Sequence, residues 1–266
     1  MDVTSVTIKN THFDYPKNLD KAISLAKNIL DLRKKSTQKK EITPSGYNLF
    51  VNKESPGNSK DASHRLRLFN DVFLQGAFDH HCIGTIYRTE KADKTIKKII
   101  EKKHNGEHID RPTPIHCEHV IPNNLLVKYI FYRQDIVTDE KLFDFLFKNI
   151  IVCAVDGTEK DYLNDRRTIG TVTSSWARHH PEFDKKTAEL LHLHTEFRDI
   201  RPFIRYKNIK TADGGELKIH CLFKKEPIDL EKYTMEDHYA ILESTEELKE
   251  LNRLYLEAIN NGKFPL

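Results

Sequence analysis

The sequence predicts an α+β fold: a mostly helical protein with a strand–strand–helix unit embedded in its middle and a β-hairpin near its C-terminus. Three observations point there. Apolar residues recur at helical spacing toward both ends of the chain. Two β-branched stretches in the middle are followed by a polar stretch of helical character. Asp213-Gly214-Gly215 is a strong hairpin turn between two strand-like runs.

Taken in order, residues 20–33 read as an amphipathic helix with Ala22, Ile23, Ala26, Ile29 and Leu30 on one face. Residues 36–62 are polar and broken by Pro44, Gly46, Pro56 and Gly57, so they read as loop with one short strand at 47–51. Helical spacing returns over 62–78, and Gly84-Thr85-Ile86-Tyr87-Arg88 reads as an ordinary buried strand. Residues 91–103 form a basic helix whose apolar stripe is Ile96, Ile99 and Ile100. Pro112 and Pro114 then lead into His116-Cys117-Glu118-His119-Val120-Ile121-Pro122, a strand that must end at the proline, which has no N–H to give a sheet ladder.

A long connection with a helix at 139–148 separates this strand from the next, Asn149-Ile150-Ile151-Val152-Cys153-Ala154-Val155. Asp156-Gly157-Thr158 marks a turn, and residues 159–167 continue as a short helix. Residues 185–197 are helical in pattern, and 201–210 with 216–223 make the hairpin. Its second strand alternates, with Leu217, Ile219, Cys221 and Phe223 on one face and Lys218, His220 and Lys224 on the other. Ser244-x-x-Glu247 is a capping box announcing a C-terminal helix that Gly262 ends.

Composition narrows the class. Hydrophobic residues are 38% and charged residues 31% of the 266, the balance of a water-soluble globular protein. No apolar run approaches the ~20 residues that span a bilayer, and the first residues lack a signal-peptide core, so no membrane and a cytoplasmic location are expected. Cys82, Cys117, Cys153 and Cys221 are far apart with no CxxC pair, which argues for reduced thiols rather than a disulfide framework or a zinc knuckle. The net charge of +3 does not by itself call for a nucleic-acid partner. The basic residues are clustered, however, at Lys34, Lys35, Lys39 and Lys40 and at Lys94, Lys97, Lys98, Lys102 and Lys103. Such clusters either neutralise phosphates or are solvated helix faces.

The chemistry is concentrated at Glu118-His119. Cutting a phosphodiester at neutral pH needs a base for water, and a neutral histidine near its ordinary pKa provides one. It also needs stabilisation of the transition-state charge and of the leaving oxygen, which a hard divalent cation on oxygen ligands supplies. Glu118-His119-Val120-Ile121-Pro122 resembles the first strand of the HNH, or ββα-metal (His-Me finger), nucleases, in which an acid or histidine precedes the catalytic histidine.

That resemblance spans residues 115–167 and implies roles residue by residue. His119 would be the general base and Glu118 a metal ligand. Asn149, just before the second strand, would buttress the histidine-bearing loop. On the following helix Asn164, with Asp161 as its rival, would complete the hold on a single Mg²⁺ or Mn²⁺, and Arg166 or Arg167 would clamp the scissile phosphate. The chain departs from the family's common pattern in its long inter-strand connection, a helix without histidine and the missing CxxC pairs. Two other nuclease signatures are weaker. Asp199 and Glu216-Leu217-Lys218 stand too far apart along a regular hairpin to share an ion, and Gly84-Thr85-Ile86-Tyr87 has no matching second half.

The expectation is therefore a metal-dependent endonuclease acting on double-stranded DNA. Residues 1–110 form a helical, DNA-binding region, 111–200 the ββα-metal nuclease core, and 201–266 the hairpin and last helix, whether as separate units or as one compact domain. Lys97, Lys98, Arg205, Lys207 and Lys218 are the expected DNA contacts. The structure beyond the finger suggests base readout, hence a sequence-specific restriction-type enzyme working as a homodimer. A nonspecific, toxin or homing-type HNH nuclease is the alternative within the class, and a non-catalytic nucleic-acid-binding protein the alternative outside it.

Overall fold

The computed structural model describes residues 5–8, 11–14, 85–109, 114–123, 126, 130, 138–159, 182, 197–207, 209–211 and 214–260. The helices expected at 20–33 and 62–78, the strand at 47–51 and all but the last residue of the helix at 185–197 lie outside them.

The protein is a mixed α+β structure built on a four-stranded mixed sheet. Strands β1 (Ser5–Ile8) and β2 (Thr11–Asp14) pair with each other in a separate antiparallel ribbon. The main sheet consists of β3 (Tyr87–Thr89), β4 (Ile115–His119), β5 (Val152–Asp156) and β6 (Ile219–Cys221), in the order β4-β5-β3-β6. β3 and β5 run parallel, while β4 and β6 are antiparallel to their neighbours. Each expected segment contributes: β3 comes from 1–110, β4 and β5 from 111–200, β6 from 201–266. The cuts at 110 and 200 thus fall between strands of a single sheet.

Register sorts the side chains. Directly paired residues share a face, so Glu118, Cys153, Tyr87 and Cys221 lie on one side and Cys117, Ala154, Arg88 and His220 on the other. The second face is covered by α1 (Glu90–His104), whose Ala92, Ile96 and Ile99 pack on Ile115 and Ala154 with Cys117 at the margin. Thr89 caps α1, its Oγ1 accepting from the Ala92 N–H at 3.2 Å, and Glu90 and Asp93 place negative charge in the first turn.

The first face carries an aromatic layer. The Tyr87 and Phe203 ring centroids are 4.9 Å apart, and the Tyr87 hydroxyl lies 2.8 Å from Tyr233 Oη and 2.7 Å from His238 Nδ1. Burial drives the Tyr87 and Tyr233 phenols upward and holds the His238 imidazole down to about 3, the Lys148 backbone carbonyl offsetting part of the latter.

Helix α2 (Asp139–Asn149) is capped by Thr138, which accepts from the Lys141 N–H at 3.2 Å, and buries Leu142, Phe143 and Leu146 completely. Helix α3 (Met235–Ser244) opens with a capping box in which the Asp237 carboxylate accepts from the Thr234 N–H at 2.9 Å. Helix α4 (Glu246–Asn260) packs against α2, α3 and β1. Among the described residues, no helix is long and apolar enough to cross a membrane.

Four sequence expectations change. Among the described residues, the long C-terminal hairpin keeps one bridge, Lys210 to Glu216, around the positive-φ Gly214. Its first arm is instead a 3-10 turn (Ile204–Tyr206), whose three-residue repeat brings the buried Phe203 and Tyr206 to one side. The second arm keeps its alternation, with Leu217, Ile219 and Cys221 buried, but pairs with β3. The C-terminal helix is two helices: Ser244 closes α3, and the Thr245 carbonyl receives the first N–H groups of α4, from Leu248 at 3.1 Å and Lys249 at 3.0 Å. Asn149 ends α2 rather than starting β5, and the chain turns helical at Gly157, not at Glu159.

Candidate active site

β4 is an edge strand of the main sheet, and its C-terminal end meets the start of β5: Glu118 stands opposite Cys153, and His119 opposite Val152. The ladder runs one step further, where the Val120 N–H donates to the Ile151 carbonyl at 3.0 Å, and then stops at the buried Pro122. At the opposite end of the pair the Gly157 N–H donates to the Pro114 carbonyl at 2.6 Å. A β-carbon on Gly157 would sit 3.1 Å from that same oxygen, a tight contact that would push the two backbones apart by a few tenths of an ångström.

The helical turn after β5 is capped from both sides. Asp156 Oδ1 accepts from the Thr158 N–H at 3.0 Å and its hydroxyl at 2.7 Å, while Glu159 Oε2 accepts from the Asp156 N–H at 3.0 Å. The Thr89 hydroxyl also donates to Glu159 Oε2, at 2.5 Å. Burial is the largest influence on Glu159 and pushes its carboxyl up. The D-x-x-E spacing of 156–159 was the sequence sign of this cap.

Strand alternation separates the two residues of the motif. Glu118 and His116, two apart, share a face, with Glu118 Oε2 3.7 Å from His116 Nε2. The carboxylate is 17% exposed and the imidazole 30%, so both reach solvent. The other carboxylate oxygen, Oε1, faces Arg205 Nη2 at 3.6 Å. His119 follows Cys117 onto the opposite side; its ring is partly exposed, but Nε2 is buried. Tyr206 lies against this cluster: burial, and then the Glu118 charge, pushes its phenol well up.

Arg205 departs most from expectation. Its side chain is 1% exposed, and Nη1 donates to the His119 carbonyl at 3.3 Å and to the Val120 carbonyl at 3.2 Å. It is not a surface contact. Of the other expected DNA contacts, Lys97 pairs with Asp93 at 2.7 Å and Lys207 pairs with Glu231, both lysines remaining exposed. Lys98 and Lys218 are exposed as well.

Asn149 is buried, and its side chain bonds within α2 and to α3. Its Nδ2 donates to the Phe145 carbonyl at 2.8 Å, and its Oδ1 accepts from the Tyr239 hydroxyl at 2.7 Å, tying α2 to α3. Asn164, Asp161, Arg166 and Arg167 lie outside the described residues. Among the described residues, no three His, Cys, Asp or Glu side chains come together as a metal cluster. What is present suits half of a divalent-cation site: one carboxylate oxygen, Glu118 Oε2, is left on the side away from Arg205 with an imidazole nitrogen beside it. Sequence reasoning passed over His116, although its spacing of two from Glu118 was the available signal.

Comparison with protein-family models, with curated proteins and with solved structures found no match to this chain.

Proposed function

We propose that the chain is a metal-dependent endonuclease that hydrolyses phosphodiester bonds of double-stranded DNA, with His119 as general base. The observation that carries this reading is the β4–β5 pair. It sets Glu118 and His119 at the strand end facing the start of β5, with a capped helical turn directly after β5. With α2 set aside between the two strands, that order resembles the strand–strand–helix plan in which an acid–histidine pair serves phosphodiester hydrolysis in the ββα-metal family.

In this reading a ring nitrogen of His119 takes the proton. Water attacks phosphorus, its proton passes to that nitrogen, and the bond to the 3′ oxygen breaks. The products are a 5′-phosphate and, once the leaving oxygen takes a proton from solvent, a 3′-hydroxyl. Glu118 Oε2 would hold the cation, with Asn164 or Asp161 as the proposed partner ligand and Arg166 or Arg167 steadying the phosphate. Mg²⁺ or Mn²⁺ bound there would offset charge on the phosphate oxygens and the departing oxygen. The nitrogen of His116 beside Oε2 favours Mn²⁺ over Mg²⁺, which takes oxygen ligands. Exposed Lys97, Lys98, Lys207 and Lys218 would neutralise backbone phosphates. Sequence-specific, restriction-type cutting by a homodimer, in the cytoplasm, completes the proposal.

The test is incubation of purified protein with plasmid DNA and Mn²⁺ or Mg²⁺, beside His119→Ala and Glu118→Gln. Cutting that His119→Ala lowers by roughly 10²–10⁴-fold supports the reading. DNA binding by all three proteins without cutting instead makes the chain a non-catalytic nucleic-acid-binding protein. Discrete ends on a sequenced plasmid mean a specific enzyme, and a smear means a nonspecific one.

A further inference from the structure

We propose that Arg205 is a positioning residue of this site and makes no contact with nucleic acid. The inference rests on reading Glu118-His119 as the reacting pair. The 3-10 turn Ile204–Tyr206 is anchored on both sides by buried aromatics, Phe203 and Tyr206, and closed by the Tyr206 N–H donating to the Phe203 carbonyl at 2.9 Å. That anchoring drives the guanidinium inward, where Cζ also lies 5.6 Å from the Tyr206 ring centroid. A guanidinium keeps its charge when buried, so it needs acceptors and a counter-charge where it stands. It finds both at the end of β4. The carbonyls of His119 and Val120, where the strand gives way to loop, take one nitrogen at 3.3 and 3.2 Å. Glu118 Oε1 faces another at 3.6 Å.

Two consequences bear on chemistry. The backbone that carries the His119 ring is fixed on its carbonyl side, so the ring is aimed from a rigid base. The guanidinium faces one oxygen of Glu118, Oε1, and leaves Oε2 on the side of His116. Lysine cannot reproduce this, because it has a single donor atom where Arg205 sets one nitrogen on two carbonyls and a second beside the Glu118 carboxylate.

The experiment uses the full chain with Arg205→Gln, Arg205→Lys, Glu118→Gln and the Arg205→Gln/Glu118→Gln double variant. Urea unfolding gives the coupling between the two positions. DNA affinity is measured against salt in Ca²⁺ with no cleavage, and the cutting rate of bound DNA is measured in single turnovers with Mn²⁺. The expected result is a coupling of about tenfold or more in the unfolding constant, in the range of contacting charged residues. DNA affinity and its salt slope stay at the wild-type values in both Arg205 variants, while the cutting rate of bound DNA falls about a hundredfold, the order of loss that misplacement of reacting groups produces. A salt slope lower by about one with the cutting rate unchanged would identify a phosphate contact and overturn the proposal. Additive unfolding effects would overturn it too. If Arg205→Gln does not fold, Arg205→Lys paired with Glu118→Gln provides the same cycle. A wild-type protein that cuts nothing sinks the nuclease reading alone, and the unfolding cycle with the salt slope still decides what Arg205 does.

Discussion

Asn149 separates the family resemblance from the packing seen in the structure, because the two roles predict opposite phenotypes. As the buttress of a histidine-bearing loop, its loss should abolish cutting and leave the fold stable. As observed, its amide spans α2 and α3, donating to the Phe145 carbonyl at 2.8 Å and accepting from the Tyr239 hydroxyl at 2.7 Å, with both side chains buried. A buried hydrogen bond contributes about 1 kcal/mol net, and a buried polar group that loses its partner costs about 1–3 kcal/mol. Asn149→Ala removes both bonds, and the Tyr239 hydroxyl loses this acceptor, so about 2–3 kcal/mol of stability should go. Tyr239→Phe removes one bond and should cost about 1–2 kcal/mol. Since each deletion removes the same contact, the double variant should fall short of their sum by about 1 kcal/mol. Urea unfolding of the three variants measures this, with DNA cutting assayed at a temperature where all are folded. A stable Asn149→Ala that has lost a hundredfold in cutting, beside a neutral Tyr239→Phe, would refute the packing role and restore the buttress.

Two further outcomes follow from buried groups. His238 has a folded pKa of about 3, below its unfolded value near 6.5, so the unfolded chain takes up a proton that the folded one refuses. Its contribution to stability is therefore complete above pH 6.5 and lost as pH falls toward 3, at about 1.4 kcal/mol per pH unit, or about 2 kcal/mol by pH 5. Urea unfolding at pH 7 and pH 5 should show that loss in the wild type and not in His238→Gln; an equal loss in both would place the titration elsewhere. Gly157→Ala would ordinarily gain stability at a helical position, but its β-carbon meets the Pro114 carbonyl at 3.1 Å. Because that oxygen already accepts from the Gly157 N–H, it has little room to yield. A net loss of about 1 kcal/mol is expected in thermal unfolding, and a gain would show that the β4–β5 ends can part without penalty.

The parts of this fold that were legible in the sequence are those set by local pattern. Ile96, Ile99 and Ile100 predicted the helix at 91–103, observed at Glu90–His104, and the helix expected at 139–148 is observed at Asp139–Asn149. Leu217, Ile219 and Cys221 alternated in the sequence and are buried together. What was not legible depended on distant partners. Ile219–Cys221 pairs with Tyr87–Thr89, more than a hundred residues earlier, and nothing near either strand announces the other. A run of aromatic and β-branched residues at 201–210 looked extended, but the spacing of Phe203 and Tyr206 fits a tight turn once both rings have a core to enter. At the site, the pairing of β4 with β5 was readable from strand order, whereas Arg205 was not. A basic residue looks the same in sequence whether it faces phosphate or a carboxylate.

The charges on the structure also bear on how the chain would hold DNA. Five residues were expected to meet phosphates, and the structure separates them by what a duplex would have to displace. Lys98 and Lys218 are exposed, and a phosphate could reach them without rearrangement. Lys97 and Lys207 sit in exposed ion pairs with Asp93 and Glu231, and such pairs contribute only about 0–1 kcal/mol, so an approaching phosphate can compete for either lysine. Arg205 is in a different position: taking it would leave the partly exposed Glu118 carboxylate without its counter-charge and free the carbonyls of His119 and Val120. Buried hydrogen-bonding groups left without partners cost about 1–3 kcal/mol each, more than an exposed ion pair returns. The guanidinium expected at the DNA surface is therefore bound instead to the strand that carries Glu118 and His119. In the proposed nuclease, DNA affinity would come from the lysines, and precision at the strand end from the arginine.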